Sequence, residues 1–469
     1  HLSHHFRCGQ VSGKAYQYLS LAALRLWERG LLQSAMENVQ HAHPLTKLAK
    51  QELDEESFST SRLQLLQVRS AMSRNQGEWK DALKHLKTQL RYAKSLKDWR
   101  VRLQTRLSIG DIHTRLGDTE KGIQFFEEVL QDSESRGYIP TQIEAHYQLC
   151  ATHWLNGNLK EALQNAQNGL NLTIEGEQTL PRAKILLSMS SLQAHLGQIT
   201  TSCTQMEDAI TILKALKQKE LLCIVLSNLA EVQLWRGMWI ESTQHAQESL
   251  QLSKENLYQV GQGQARLILA QSAFERGLYS DATRHTKEAL RISLDIQIPG
   301  LEANASFILA KIQLGLDNPK AALSFLKKSR NILQENDPEQ YKIAVHLTMA
   351  LTLFQLKRYE TGRSIIQSVE PYIYKVPIAR QVTNLYWLAR CRQFSGNIPQ
   401  AIETTQQAIV LSKKFDMIGW SLKFHSLLSS LSDDPQHHDS WMQIFNQRTQ
   451  EWSKAERRLM LDHLQFMHD

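Results

Sequence analysis

At 469 residues, with 22% charged and 42% hydrophobic side chains, the chain has the composition of an ordinary folded protein and not of a disordered one. Its formal net charge of +7 is small for this length and the two signs are interspersed, so diffuse attraction to nucleic acid or to a membrane surface is not implied. Five cysteines (Cys8, Cys150, Cys203, Cys223 and Cys391) without CxxC spacing argue against a disulfide framework or a zinc ribbon and for a reducing, cytoplasmic setting.

The chain opens HLSHHFRCGQ, with neither Met nor a signal-peptide pattern, and reads as a fragment of a longer polypeptide. His1 and His5 stand one helical turn apart, but zinc wants three or four ligands, and surface histidines are the simpler reading. The QHHD stretch near His437 has the same shortfall, so no metal is expected. No run approaches the length of apolar residues that spans a bilayer.

At Gly30 the stretch ERGLLQSAMENVQHA begins a pattern that returns along the chain. Gly77, Gly117, Gly157, Gly197, Gly237 and Gly277 are spaced by 40 residues, the next two marks fall on Asp317 and Lys357, and Gly396 comes one residue early. A fixed period of this size is the signature of a repeat array. Five residues after the marks stand Ala35, Ala82, Gly122, Ala162, Ser202, Ser242, Ala282, Ala322, Gly362 and Ala401, none larger than Ser. Seven before them the residues are again small, from Ala23 and Ser70 through Gly110 and Cys150 to Ala350 and Ala389.

Apolar residues before each mark follow the i, i+3, i+4, i+7 stripe of a buried helix face, and a second stripe follows it, as in Ala82, Leu83, Leu86 and Leu90. Each repeat is therefore expected to be helix, Gly turn, helix, with small residues letting the two backbones approach. Proline agrees: Pro140, Pro181, Pro299, Pro338 and Pro377 fall where first helices should begin, and none needs to break a helix interior. Residues 1–50 read as an N-terminal helical pair, 51–435 as the tandem repeats, and 436–469 as a diverged capping helix.

Leu/Gly before the turn, Gly in it and Ala after it resemble the tetratricopeptide repeat, with LSIGDIHTRLGDTEKGIQFFEEVL (Leu107 to Leu130) a close example. The usual repeat has about 34 residues. The longer form is similar to the repeats of spindle-orientation adaptors, kinesin light chains and the sensor arrays of maltose-activator-type ATPases. The resemblance covers about residues 12 to 435 and implies an all-α, right-handed α-solenoid. The opening segment, through Leu2, His4, His5, Phe6, Gly9, Lys14, Ala15, Tyr18 and Leu19, resembles the stretch after the ATPase module of large signalling (STAND-type) ATPases and adenylyl cyclase-like proteins. It departs from that pattern where Gln10 and Val11 stand in place of an acidic residue.

Within these residues there is no GxxxxGK[ST], and GQGQA at Gly261 to Ala265 lacks the third Gly and is read as an inter-repeat loop. No cofactor is expected. Catalytic constellations are not expected either, because array residues are taken to meet only across neighbouring repeats. Lys80, Lys84, Lys87, Arg91 and Lys94 share one helix face, read as a solvated outer surface or as a docking face for an acidic partner. Nucleic acid is disfavoured there because no aromatic residues interleave.

The stripe beside the packing face should line the concave groove: Arg74, Asn75, Asp111, Arg115, Glu144, Tyr147, Trp154, Glu231, Trp235, Gln271, Phe274, Lys311, Tyr386 and Arg390. Aromatic and arginine side chains on such a surface suit peptide anchoring. Trp154, Trp235 and Phe274 read equally as core residues, whereas burial is not expected of Asp111, Glu231, Lys311 or Arg390. The expected object is a curved surface with no enclosed pocket. It would be a non-catalytic scaffold or sensor array that takes a protein or peptide partner or an upstream domain of its own chain. It would form the C-terminal region of a signal-responsive ATPase regulator or, as the alternative, a stand-alone peptide-binding adaptor.

Overall fold

The computed structural model describes residues 11–174, 176–336, 339–432 and 435–466, and among them every regular element is a helix. Most of the opening motif, including His1, His5 and Cys8, and also Pro338, lies outside the described residues. Helices Trp79–Ser95, Trp99–Arg115, Thr119–Ser135 and Ile139–Leu155 each have 17 residues, and short turns separate them. The same length recurs at Lys219–Trp235, Trp239–Glu255, Gln259–Glu275 and Tyr279–Asp295.

The turn chemistry explains the constancy. All the marks of the sequence period have positive φ, from 52° at Asp317 and 60° at Lys357 to 89° at Gly117. A left-handed residue past the last helical turn lets the next N–H groups reach back to orphan carbonyls. Here Gly157 N donates to Trp154 O at 3.0 Å and Asn158 N to His153 O at 2.9 Å. A second series (Lys97, Gly137, Lys217, Leu257 and Gln297, φ 53° to 62°) stands midway between the marks. The joints between repeats thus use the same cap as the joints within them.

The small positions meet as the sequence requires. The residues five after the marks are buried throughout, as are those seven before. Ser202 Oγ donates to Ser190 O at 2.8 Å and Ser242 Oγ to Ala230 O at 2.7 Å, linking the two positions directly. A Cβ on Gly122 would stand 3.2 Å from Gly110 O, so the two helices of that repeat touch backbone to side-chain root. The larger apolar residues then fill the flanks, as Leu103, Leu107, Phe126, Val129, Ala145 and Leu149 do in one cluster.

The chain divides into two compact units. One comprises His1–Thr152, Gln164–Glu177 and Lys254–Val260; the other comprises His153–Leu163, Gln178–Ser253 and Gly261–Asp469. In the first, Asn75 Nδ2 approaches Asn256 O at 3.5 Å. In the second, the chain also meets itself far along the sequence. Arg236 Nε donates to Asp416 Oδ2 at 2.9 Å, and Arg276 Nη2 to Glu456 Oε1 at 2.7 Å, each pair 180 residues apart. Contacts are therefore not confined to neighbouring repeats, as the sequence reading assumed. Turns several repeats apart come edge to edge, close enough that a Cβ on Gly419 would stand 2.7 Å from Leu234 O.

GQGQA is not a loop either. It lies within the helix Gln259–Glu275, and its Gly263 is covered by Leu301, whose Cδ2 would stand 2.5 Å from an added Cβ. Its glycine serves helix contact.

Candidate functional site

In the first unit the predicted groove residues form a polar cluster. Asp111 accepts from Arg115 Nε at 2.9 Å and pairs with Arg74 Nη1 at 3.8 Å. All three are partly exposed, so the pairs contribute little individually. Glu144 Oε1 is 3.5 Å from Gln104 Nε2, one repeat earlier. Tyr147 is half-buried beside this cluster, and burial pushes its hydroxyl up, partly opposed by Arg115. Asn75 is buried. Lys80, Lys84, Lys87, Arg91 and Lys94 are all exposed along the helix Trp79–Ser95.

The second unit holds a partly enclosed cavity of about 370 Å³, where the sequence reading expected an open surface alone. Six of the predicted groove residues line it: Glu231, Trp235, Gln271, Phe274, Lys311 and Tyr386. The period put them together because each occupies the same stripe on its helix. Trp154 is half-buried outside the lining. It continues the wall through ring contacts, with His195 4.7 Å from Trp154 and 5.2 Å from Trp235 between centroids. Arg390 lies elsewhere in the unit, its guanidinium 5.0 Å from the Phe394 ring.

Two expectations of exposure fail. Lys311 is 7% exposed and Arg390 3%. The reason is aromatic cover: Lys311 Nζ lies 5.4 Å from the centroids of both Phe274 and Phe307, which lets a cation persist where a bare one would not. Glu231 is exposed, as expected. Phe274, Trp235 and Tyr386 are buried, yet they also present faces to the cavity, so they serve both roles.

The sequence reading missed Glu275, Arg380, Trp420, Lys423 and His463. Glu275 and Lys423 form a buried ion pair in the cavity wall, and Lys423 Nζ also sits 4.3 Å from the Trp420 ring centroid. Burial alone would push the Glu275 carboxyl up, but Lys423 and Lys311 outweigh it and hold it below the usual carboxylate value. Burial lowers Lys311 to about 8, with Glu275 opposing. His463 accepts the Tyr279 hydroxyl at 2.8 Å in the neutral form that burial imposes, which lowers it to about 4. Glu231 is open to the cavity rather than packed in the core, yet the surrounding walls thin its water and raise its carboxyl, with Arg380 opposing. Burial, helped by Arg380, drives His195 to about 3. Glu275 stood on the predicted stripe two residues before Gly277. Lys423 and His463 had no signal, because only the stacking of distant repeats brings them in.

The arrangement is a binding chamber by its chemistry, with aromatic walls and a few convergent charges. No curated protein sequence matches the chain. Residues 103–131 match the model of the tetratricopeptide repeat. Among solved structures, a Rap protein complexed with competence and sporulation factor is similar over 77% of this chain and 99% of its own, at 12% identity and a TM-score of 0.55. Aspartyl phosphate phosphatase F from Bacillus subtilis is similar over 77% and 93%, at 14% identity and 0.42. A signal transduction ATPase with numerous domains and a tetratricopeptide repeat sensor, from Pyrococcus horikoshii, is similar over 72% and 53%, at 14% identity and 0.42. At 12% identity the likeness to the first is one of fold alone, and the chain is an all-α array of tetratricopeptide-type helical repeats.

Proposed function

We propose that this chain is a non-catalytic interaction scaffold whose second unit senses a short peptide or small ligand in the cavity, on behalf of a larger signal-responsive ATPase regulator. The observation that carries the reading is the convergence of Glu231, Trp235, Gln271, Phe274, Lys311 and Tyr386 on one chamber of about 370 Å³. That volume lies within the rough 300–1,000 Å³ of ligand sites. The Rap protein of the same fold was solved with competence and sporulation factor, which supports ligand binding as a use of such an array. The place beside an ATPase rests on the resemblance of the opening segment.

Selection of displayed peptides on the purified chain tests the binding reading. The expected peptides lose at least about tenfold in affinity on Trp235→Ala and nothing on Lys84→Ala. Equal binding by wild type and Trp235→Ala overturns the cavity as the site. For the regulator reading, the upstream reading frame should encode a P-loop and a winged helix. A frame without them leaves the stand-alone adaptor.

A further inference from the structure

Among the described residues the charges of the cavity are not evenly matched. Lys423 is neutralised by its ion pair with Glu275, and Arg380 faces Glu231. His195 and His463 are held neutral by burial. Of the acids, Lys311 feels only the field of Glu275, whose carboxylate is already in contact with Lys423. It is more than nine-tenths buried, it lines the chamber, and among the described residues no carboxylate stands within ion-pair distance of its ammonium. Phe274 and Phe307 shelter the cation through their ring faces but supply no countercharge. A buried ammonium in that condition is a standing destabilisation of the ligand-free protein, and an arriving anion would remove it.

Resting on the cavity as the binding site, we propose that the occupant carries a carboxylate that pairs with Lys311, next to an apolar or aromatic portion that packs on Trp235 and on Trp387, which also lines the cavity. A single negative charge fits better than a phosphate dianion. Among the described residues the lining carries Arg380, Lys311 and Lys423 against the carboxylates Glu231 and Glu275, and the field of Glu275 at Lys311 repels a second negative charge. The carboxylate belongs either to a small aromatic acid or to the C-terminus of a peptide.

Matched acid and amide probes separate the possibilities: phenylacetate, indole-3-propionate, N-acetyl-phenylalanine and the tripeptide Ala-Ala-Phe, each against its amide. Titration with wild type and Lys311→Met is followed by saturation-transfer NMR and calorimetry. The expected result is a preference of about tenfold or more for the acid. Lys311→Met should erase that preference while leaving weak amide binding in place. Tighter binding of Ala-Ala-Phe than of the single-residue acids identifies a peptide terminus, and the reverse order a small acid. Equal binding of acids and amides, or a preference that survives Lys311→Met, overturns the carboxylate proposal and leaves the cavity as a ligand site. Failure of every probe to bind overturns both. A melting curve supplies an independent arm. Lys311→Met should melt higher than the ligand-free wild type, and a lower melting temperature would show that the ammonium is already compensated.

Discussion

Arg236 and Asp416 meet at 2.9 Å although 180 residues of chain lie between them, and Arg276 meets Glu456 at the same separation. The glycines beside the first pair make the approach possible: an added Cβ on Gly419 would come within 2.9 Å of Gly237 N. These residues bring distant turns of the second unit into contact and so form the wall that carries Lys423 and His463 to the cavity.

Gly419→Ala should therefore destabilise the second unit by about 1–3 kcal/mol, as overpacking against backbone does. Gly300→Ala is the control, since nothing lies within 4 Å of its added Cβ. It should be neutral or slightly stabilising, because Ala is the better helix former. Urea denaturation of the two variants measures the difference, and equal losses would refute the close approach at Gly419.

The buried small position gives a second test. Ala162 is fully buried, whereas Gln164 on the same helix is exposed. Ala162→Trp should lose at least about 1–3 kcal/mol and Gln164→Trp within about 0.5 kcal/mol of nothing. Denaturation midpoints decide it.

Turn residues give a third. Lys357 holds φ 60° at a mark where most repeats place Gly. Lys357→Gly should stabilise by up to about 1 kcal/mol through relief of the left-handed penalty. Gly157→Ala, from φ 77°, should destabilise by a similar amount. Thermal unfolding checks both signs.

The pH dependence of stability follows from His463, which burial lowers to about 4 from 6.5 while Glu275 opposes and Lys423 and Lys311 reinforce. Above about pH 6.5 the ring is neutral in both folded and unfolded states. Between 6.5 and 4 the unfolded chain takes a proton that the folded one refuses, so stability falls as pH falls. The slope is about 1.4 kcal/mol per pH unit for this one group. His463→Gln should flatten the acid side of a stability–pH profile, and an unchanged profile would rule out the neutral ring.

The fold was legible because glycine reports positive φ and small residues report close backbones. Gly77 through Gly277 wrote the joints within repeats into the letters. The joints between repeats were not legible, since Lys97, Lys217, Leu257 and Gln297 adopt the same left-handed turn without announcing it. Six cavity residues followed from a stripe on successive helices. Lys423 and His463 did not, because a 40-residue period says which residues share a face but not how far the chain travels before it meets itself. The burial of Lys311 and Arg390 was missed for another reason: the rings of Phe274, Phe307 and Phe394 stand in for water around them.

The pairing of Arg236 with Asp416 and of Arg276 with Glu456 repeats in step with the helices, a cation advancing as its carboxylate does. Loss of the stretch 277–316 would slide Glu456 into the place of Asp416 and present Arg236 with an acid once more. A gene that loses or gains one module between the partners can thus keep one such fastening closed through the change.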